Sequence, residues 1–226
     1  MMGNIAVAID GPAGSGKSTV AKIIAKDLNL IYIDTGAMYR SVALYCIRKG
    51  ADTEKEEEVI KYLPEINLDI VLEKGIQKIF IDGEDITEKI RTQEVGKGAS
   101  DVGAIEKVRE KMVQLQRKLS EGASVIMDGR DIGTNVLPNA QVKIYLNAGV
   151  EERAKRRCGE LESIGAEYDF ESVKKQIEER DYNDMHRKFN PLMKADDAVE
   201  IDTTSLTIDE VCSKIKEIIK EKTDLR

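Results

Sequence analysis

The chain has 226 residues, enough for one large domain or a domain with an insert, and 41% hydrophobic residues allow a sizeable core. Aromatic residues make up only 4% and Trp is absent, so that core must be aliphatic. A formal net charge of -7 argues against a general nucleic-acid or membrane surface, so any anion site must be a local cluster of cations. The first element is the apolar run from Ile5 to Ile9, which reads as a buried parallel strand. Asp10 and the pattern G-x-x-x-x-G-K-S follow at once, as Gly11-Pro12-Ala13-Gly14-Ser15-Gly16-Lys17-Ser18-Thr19. Val20, Ile23, Ile24 and Leu28 then give a helical stripe. Strand, glycine-rich turn and helix in that order are the context of a P-loop. Its backbone N–H groups and the helix dipole would cradle phosphates, Lys17 would reach the outer ones, and the Ser18 hydroxyl would ligate Mg2+. The expectation is a site for a nucleoside triphosphate.

Ile31-Tyr32-Ile33 is a second short strand, ended by Asp34-Thr35-Gly36, and Met38 to Lys49 reads as a helix. Thr53 to Glu58 is a solvated, acidic helix start. From about Ile66 to Arg91 the pattern changes. Ile66, Leu68, Ile70 and Leu72 alternate as in a half-buried strand, Lys74-Gly75 marks a turn, and Ile76 to Ile81 gives another strand. Asp82-Gly83 is a tight-turn signal, and Ile86 to Ile90 is expected as a third strand, so this region reads as an antiparallel meander.

Helical periodicity returns at Ile105, Val108, Met112, Leu115 and Leu119. Val125 to Met127 is a strand ending at Asp128-Gly129-Arg130-Asp131, and Val142 to Leu146 is the next. Helices are expected from Glu151 to about Gly159 and from Phe170 to Arg187, a last strand at Val199 to Ile201, and a capping box at Thr207-Ile208-Asp209-Glu210. Five short strands separated by helices imply an α/β fold with a parallel, doubly wound sheet. Cys46, Cys158 and Cys212 are far apart and show no metal-ligand spacing, which fits reduced thiols. Asn4 leads straight into the first strand without a basic leader, and no run approaches membrane-spanning length. A soluble, cytoplasmic chain with no nucleic-acid or membrane partner is expected. Nothing demands a second copy, so a monomer is expected.

Ligands bind beyond the carboxyl ends of such strands, which makes the polar residues there the site candidates. Each Asp alone would be read as a turn residue, but Arg130 between glycine and acids is harder to explain that way. A second cluster is cationic: Arg40 near a helix start, Arg153, Arg156 and Arg157 together, and Arg180 and Arg187 seven apart with Asp184 between them. Guanidinium forks in an acidic chain point to clamped phosphates, although a solvated helix face explains Arg156 equally well. Arg109, next to Val108, could be a rim residue, and His186 has no nucleophile or metal set near it. Phosphoryl transfer to an acceptor that carries its own anion, such as a nucleoside monophosphate, fits this set. A guanine-specific switch would show Asn-Lys-x-Asp and a motor ATPase a strand ending in Asp-Glu; neither occurs.

Taken together, these segments resemble the bacterial cytidylate kinases over almost the whole chain. The resemblance rests on Ile9 to Thr19, Asp34 to Arg40, Ile90-Arg91-Thr92-Gln93-Glu94-Val95 and Asp128 to Thr134. It continues through Glu152 to Arg157 and Arg180-Asp181 with Asp184 and Arg187. It implies a P-loop kinase core with a five-stranded parallel sheet, residues 1–62 and 92–226, a helical lid at about 151–168 and a monophosphate-binding insert at 63–91. ATP with Mg2+ would be the donor, and CMP or dCMP the acceptor. Thr35, Tyr39, Arg40 and Arg130 would hold the acceptor phosphate, and Ser100, Arg109 and Asp131 would read the cytosine. Arg180 and Asp184 would meet the sugar hydroxyls, with Arg187 near the phosphates. Arg153 and Arg157 would act from the lid on the transferring group, with Lys17, Arg130 and Asp131 completing the catalytic set. One departure is Asn190 before Pro191-Leu192, where an alanine is common; it affects a local turn only.

Overall fold

The computed structural model describes residues 4–73, 76–163 and 165–223, so the turn expected at Lys74-Gly75 lies outside the described residues. The core begins with β1 (Ala6–Asp10), α1 (Lys17–Asp27), β2 (Ile31–Asp34), α2 (Thr35–Arg48) and α3 (Glu56–Tyr62). A small sheet follows, of β3 (Leu68–Glu73), β4 (Ile76–Ile81) and β5 (Glu84–Asp85). The chain then returns through α4 (Gln93–Val102), α5 (Glu106–Ser120), β6 (Val125–Gly129) and β7 (Val142–Asn147). It ends with α6 (Val150–Ser163), α7 (Phe170–His186), β8 (Val199–Asp202) and α8 (Ile208–Lys222).

The main sheet has the order β2-β6-β1-β7-β8 with every pairing parallel. β1 is apolar from Ala6 to Ile9 because both its faces are covered. Val7 and Ile9 pack with Val20 and Ile24 of α1 and Ile215 of α8, while Ala8 packs with Ile33 and Met127 on the other side. Burying one such isoleucine contributes about 1.5–3 kcal/mol. The register aligns Asp34 with Asp128, Asp10 with Gly129, and Asn147 with Asp202, so the polar ends of all five strands share one edge. The capping box expected at Thr207 and Glu210 starts α8.

The three-stranded antiparallel sheet joins α2, α4 and α5 in a second aliphatic core around Met38, Val42, Ile79, Ile86, Ile90 and Met112. Gln77 ties it to the main sheet, accepting from Asp34 N at 2.8 Å and donating to Asp34 O at 3.2 Å. The strand expected over Ile86 to Ile90 is not one. β5 is only Glu84–Asp85, and Lys89–Arg91 forms a 3-10 turn. Ile86 and Ile90 are four apart, both fully buried, and joined by Ile90 N donating to Ile86 O at 3.1 Å, which is helical geometry.

Three further elements differ from expectation. α2 begins at Thr35, because the Asp34 carboxylate caps it by accepting from Ala37 N at 2.9 Å; Arg40 therefore stands in its second turn. α4 had no predicted counterpart. Its glycines weaken the helical signal, yet a Cβ at Gly98 would come within 3.1 Å of Ala43, so glycine permits the close approach to α2. Beyond β6, Ile132–Val136 forms a single π-type turn. α6 and α7 pack on each other through Ala154, Cys158, Leu161, Val173 and Ile177, a small core of their own.

Candidate active site

The loop between β1 and α1 lies at the middle of the sheet's carboxyl edge. Gly14 and Gly16 adopt φ of 74° and 89°, and a Cβ at Gly11 (φ 147°) would lie 2.0 Å from the Leu146 carbonyl oxygen. Only glycine allows this curl. The Lys17 ammonium is buried and donates to Pro12 O at 2.5 Å and to the Ser15 hydroxyl at 3.3 Å. Burial, with Arg130 nearby, pushes its pKa well below the ordinary lysine value. Ser18 and Thr19 are exposed on the first turn of α1, at the helix N-terminus.

Beside this loop opens a cleft of about 580 Å³, counting its solvent-exposed mouth. Thr35, Tyr39, Ser100, Arg109 and Asp131 line it, and so do Arg130, Arg180, Asp184 and Arg187. The fold thus brings together nine of the ten acceptor-side residues named from the sequence, drawn from five helices and loops. Arg40 is not among the lining residues; it donates to Ile90 O at 3.2 Å, yet it lies close enough to Arg130 and Arg180 for their charges to act on one another.

The cleft's charges are paired in a fixed pattern. Arg130 Nε donates to Asp184 Oδ2 at 2.7 Å. Arg109 donates to Asp131 Oδ2 at 2.5 Å and to Gly103 O at 3.1 Å. Arg187 reaches Asp131 at 3.4 Å and Asp184 at 3.7 Å. Arg109 is 2% exposed, so it is a buried member of the cleft and not a rim residue. Its guanidinium also lies 5.5 Å from the Tyr39 ring centroid. Burial alone would lower the pKa of Arg130 and raise that of Asp184. The mutual pairing outweighs it, holding Arg130 above and Asp184 below their ordinary values. Arg180 lacks that balance: burial and the neighbouring Arg130 lower it to about 10, and its Nε has no partner among the described residues. It remains a cation at neutral pH.

Arg153 is committed to the P-loop itself. It donates to Ala13 O at 3.0 Å, to Ala148 O at 2.8 Å and to Asp181 at 2.5 Å, while Asp181 also accepts from Ala13 N at 3.3 Å. Arg157 is more exposed and pairs with Glu160 at 2.7 Å. Arg156 clips α6 to the end of β8 through Thr203 O at 2.7 Å, so it anchors the helix. His186 is exposed and stacks on Tyr182 at 4.0 Å between centroids.

Several residues that shape the site were given no individual role from the sequence. Asp10 accepts from Ile132 N at 2.8 Å and Gly133 N at 2.7 Å, locking the start of the π-turn to the P-loop strand. Burial outweighs those bonds and raises its pKa to about 6. Asp128 is pushed up to about 7 by burial and by Asp34, with Tyr32 donating to it at 2.8 Å. Gln116 is buried in the wall of the cleft. A signal for Asp10 and Asp128 did exist, since each is the last acid of a buried strand.

No group of three or more His, Cys, Asp or Glu among the described residues is arranged to hold a metal. Among the described residues, no helix is long and apolar enough to cross a membrane.

Comparison with known proteins bears on the whole chain. The family model for cytidylate kinases matches residues 7–221. A cytidylate kinase of Lactobacillus johnsonii is 51% identical over 96% of this chain and 94% of its own length. That of Enterococcus faecalis is 51% identical over 98% of both, and that of Bacillus subtilis 48% identical over 96% and 97%. Among solved structures, an uncharacterized protein from Eubacterium ventriosum shares the fold at TM-score 0.52 and 14% identity, covering 96% of this chain and 99% of that one. With a P-loop, a parallel five-stranded sheet, an antiparallel insert and this match over nearly its full length, the chain belongs to the cytidylate kinase family.

Proposed function

We infer that this protein transfers the γ-phosphoryl group of ATP to CMP or dCMP, giving ADP and CDP or dCDP. The observation that carries the reading is a charge imbalance in the cleft beside the P-loop. Four guanidiniums, those of Arg109, Arg130, Arg180 and Arg187, face the ion-paired carboxylates of Asp131 and Asp184 and that of Asp128, whose pKa burial raises to about 7. The excess of about one to two positive charges complements a phosphate monoester, which carries roughly -1.5 to -2 at neutral pH. An acceptor bringing its own phosphate supplies that charge; a neutral alcohol does not.

The chain's residues divide the work by position. The loop from Gly11 to Thr19 holds the ATP phosphates through its backbone N–H groups and Lys17. Ser18 holds Mg2+, which when bound neutralises charge on the phosphates between which the group moves. Thr35, Tyr39, Arg40 and Arg130 hold the acceptor phosphate, with Arg187 near it. Arg180 and Asp184 meet the sugar, while Ser100, Arg109 and Asp131 present donors and an acceptor to the cytosine edge. Arg130, beside Lys17, lies where charge develops, as do Arg153 and Arg157 from the α6–α7 pair, which serves as the lid over residues 151–168. The insert over 63–91 backs the acceptor side. Nothing in this scheme needs covalent chemistry by the protein or a second copy of the chain.

The test is ADP formation from MgATP with CMP, dCMP, UMP, AMP or GMP, beside a control without acceptor. Turnover led by CMP and dCMP is expected. Turnover led by a purine nucleotide would overturn the base assignment, and ADP release without acceptor would overturn the transfer reaction.

A further inference from the structure

Gln116 stands in a place that the scheme above does not use. It lies on α5 seven residues beyond Arg109, two helical turns along the same face, and both side chains line the cleft. Its neighbours on the helix, Met112 and Val113, are packed into apolar cores. Gln116 is 1% exposed, and neither Nε2 nor Oε1 has a hydrogen-bond partner among the described residues. The Nε of Arg109 is unpartnered as well. Tyr39, whose ring lies beneath the Arg109 guanidinium, is near enough for the amide to bias its titration, without a bond of good geometry between them.

A buried amide with both ends unpaired costs free energy, and methionine of similar length would fill the same space without that cost. The amide also offers one donor and one acceptor side by side, the complement of a pyrimidine edge that alternates acceptors with an exocyclic donor. We propose that Gln116 is a further base-recognition residue, whose amide hydrogen-bonds the polar edge of the acceptor's pyrimidine. The inference rests on the cytidylate kinase reading and deepens it. Because the amide can turn either end toward the base, Gln116 favours a pyrimidine generally, and the choice of cytosine over uracil is left to Arg109 and Asp131.

The test is Gln116→Met, compared with wild type for CMP, UMP and ATP. The KM for CMP and for UMP should each rise about tenfold, equivalent to about 1.4 kcal/mol, while kcat and the KM for ATP stay within twofold. The free variant should melt no lower than wild type, and its Tm increase on adding CMP should shrink. An unchanged KM for CMP in the variant, with wild type active on CMP, overturns the role of Gln116 alone. A wild type that does not phosphorylate CMP overturns the reading beneath it and this role with it. Should the variant not fold, the side-chain amide signals of Gln116 in the 15N-labelled wild type provide the test. They should shift on titration with CMP, and their failure to move at saturation refutes the proposal.

Discussion

Asp131→Ala separates what the cleft needs for folding from what it needs for recognition. The Asp131 side chain is 6% exposed and lies between the guanidiniums of Arg109 and Arg187, which are 3% and 6% exposed. It also accepts from Asn135 Nδ2 at 3.0 Å. Removing it leaves Arg109 buried without its counter-charge, and breaking such a pair from one side costs about 3–5 kcal/mol. At roughly 2–4 °C per kcal/mol for a chain of this size, Tm should fall by roughly 10 °C. Adding Arg109→Met removes the stranded cation, so the double variant should recover part of that loss. The KM for CMP should rise in both variants, and that for ATP should change little, because the P-loop contacts do not include Asp131. Urea unfolding with unchanged m, followed by ADP-coupled kinetics, measures both effects. A loss below about 1 kcal/mol in the single variant, with Arg109 intact, would refute the claim that the pair is buried and mutually dependent.

Two further outcomes are expected. Arg130→Ala should lower kcat about a thousandfold while the protein still folds, since Asp184 keeps Arg187 and Arg180 nearby; a kcat within tenfold of wild type removes Arg130 from the transfer step. Asp128 has a folded pKa raised from 3.8 to about 7, so the folded state binds more protons than the unfolded state between those values. Its contribution to stability is therefore present below about pH 4 and is lost as pH rises to about 7, by at most about 4 kcal/mol. Asp128→Asn keeps the acceptor for Tyr32 and has no such loss, so its Tm relative to wild type should climb from pH 5 to 7.5. A flat difference across that range would contradict the burial of this carboxylate.

What could be read from the sequence follows the range of the interactions involved. The P-loop is legible because its strand, glycines and helix lie within about fifteen consecutive residues, and its chemistry depends on backbone shape more than on distant partners. Arg180, Asp184 and Arg187 are legible because helical spacing alone puts them on one face. Arg109 is different: its position next to Val108 does not reveal that Asp131 waits for it 22 residues away, so a rim and a buried site looked alike. Ile86 to Ile90 follows a turn signal and suggests a third strand, although the spacing of four between Ile86 and Ile90 suits one turn of helix equally. The short 3-10 turn was chosen by the aliphatic core they fill, which sequence period does not show. The same holds for α4, whose Val95, Ala99 and Val102 follow steps of four and three but are diluted by glycines. Those glycines make sense only once α2 is seen beside them.

Asp131, Asp181 and Asp184 explain how an acidic chain can bury so many cations before any nucleotide arrives, and Asp10 fixes the backbone between them. Each carboxylate does two tasks with one group. Asp181 holds Arg153 and also accepts from the P-loop backbone at Ala13, so one carboxylate ties α6 and α7 to the phosphate loop. Asp184 holds Arg130 and faces Arg187, which fixes two arginines that start on different elements. Asp10 uses the start of the π-turn to tie the P-loop strand to the loop that carries Arg130 and Asp131. A guanidinium held this way is already oriented when a phosphate reaches it, so little free energy is spent on ordering the side chain during transfer. Full neutralisation would defeat that purpose, because a cation satisfied by carboxylates gains little from a substrate. The cleft stops short of it: Arg180, whose Nε is unpartnered, and the shared carboxylates of the other three leave a positive field that only an anionic ligand completes.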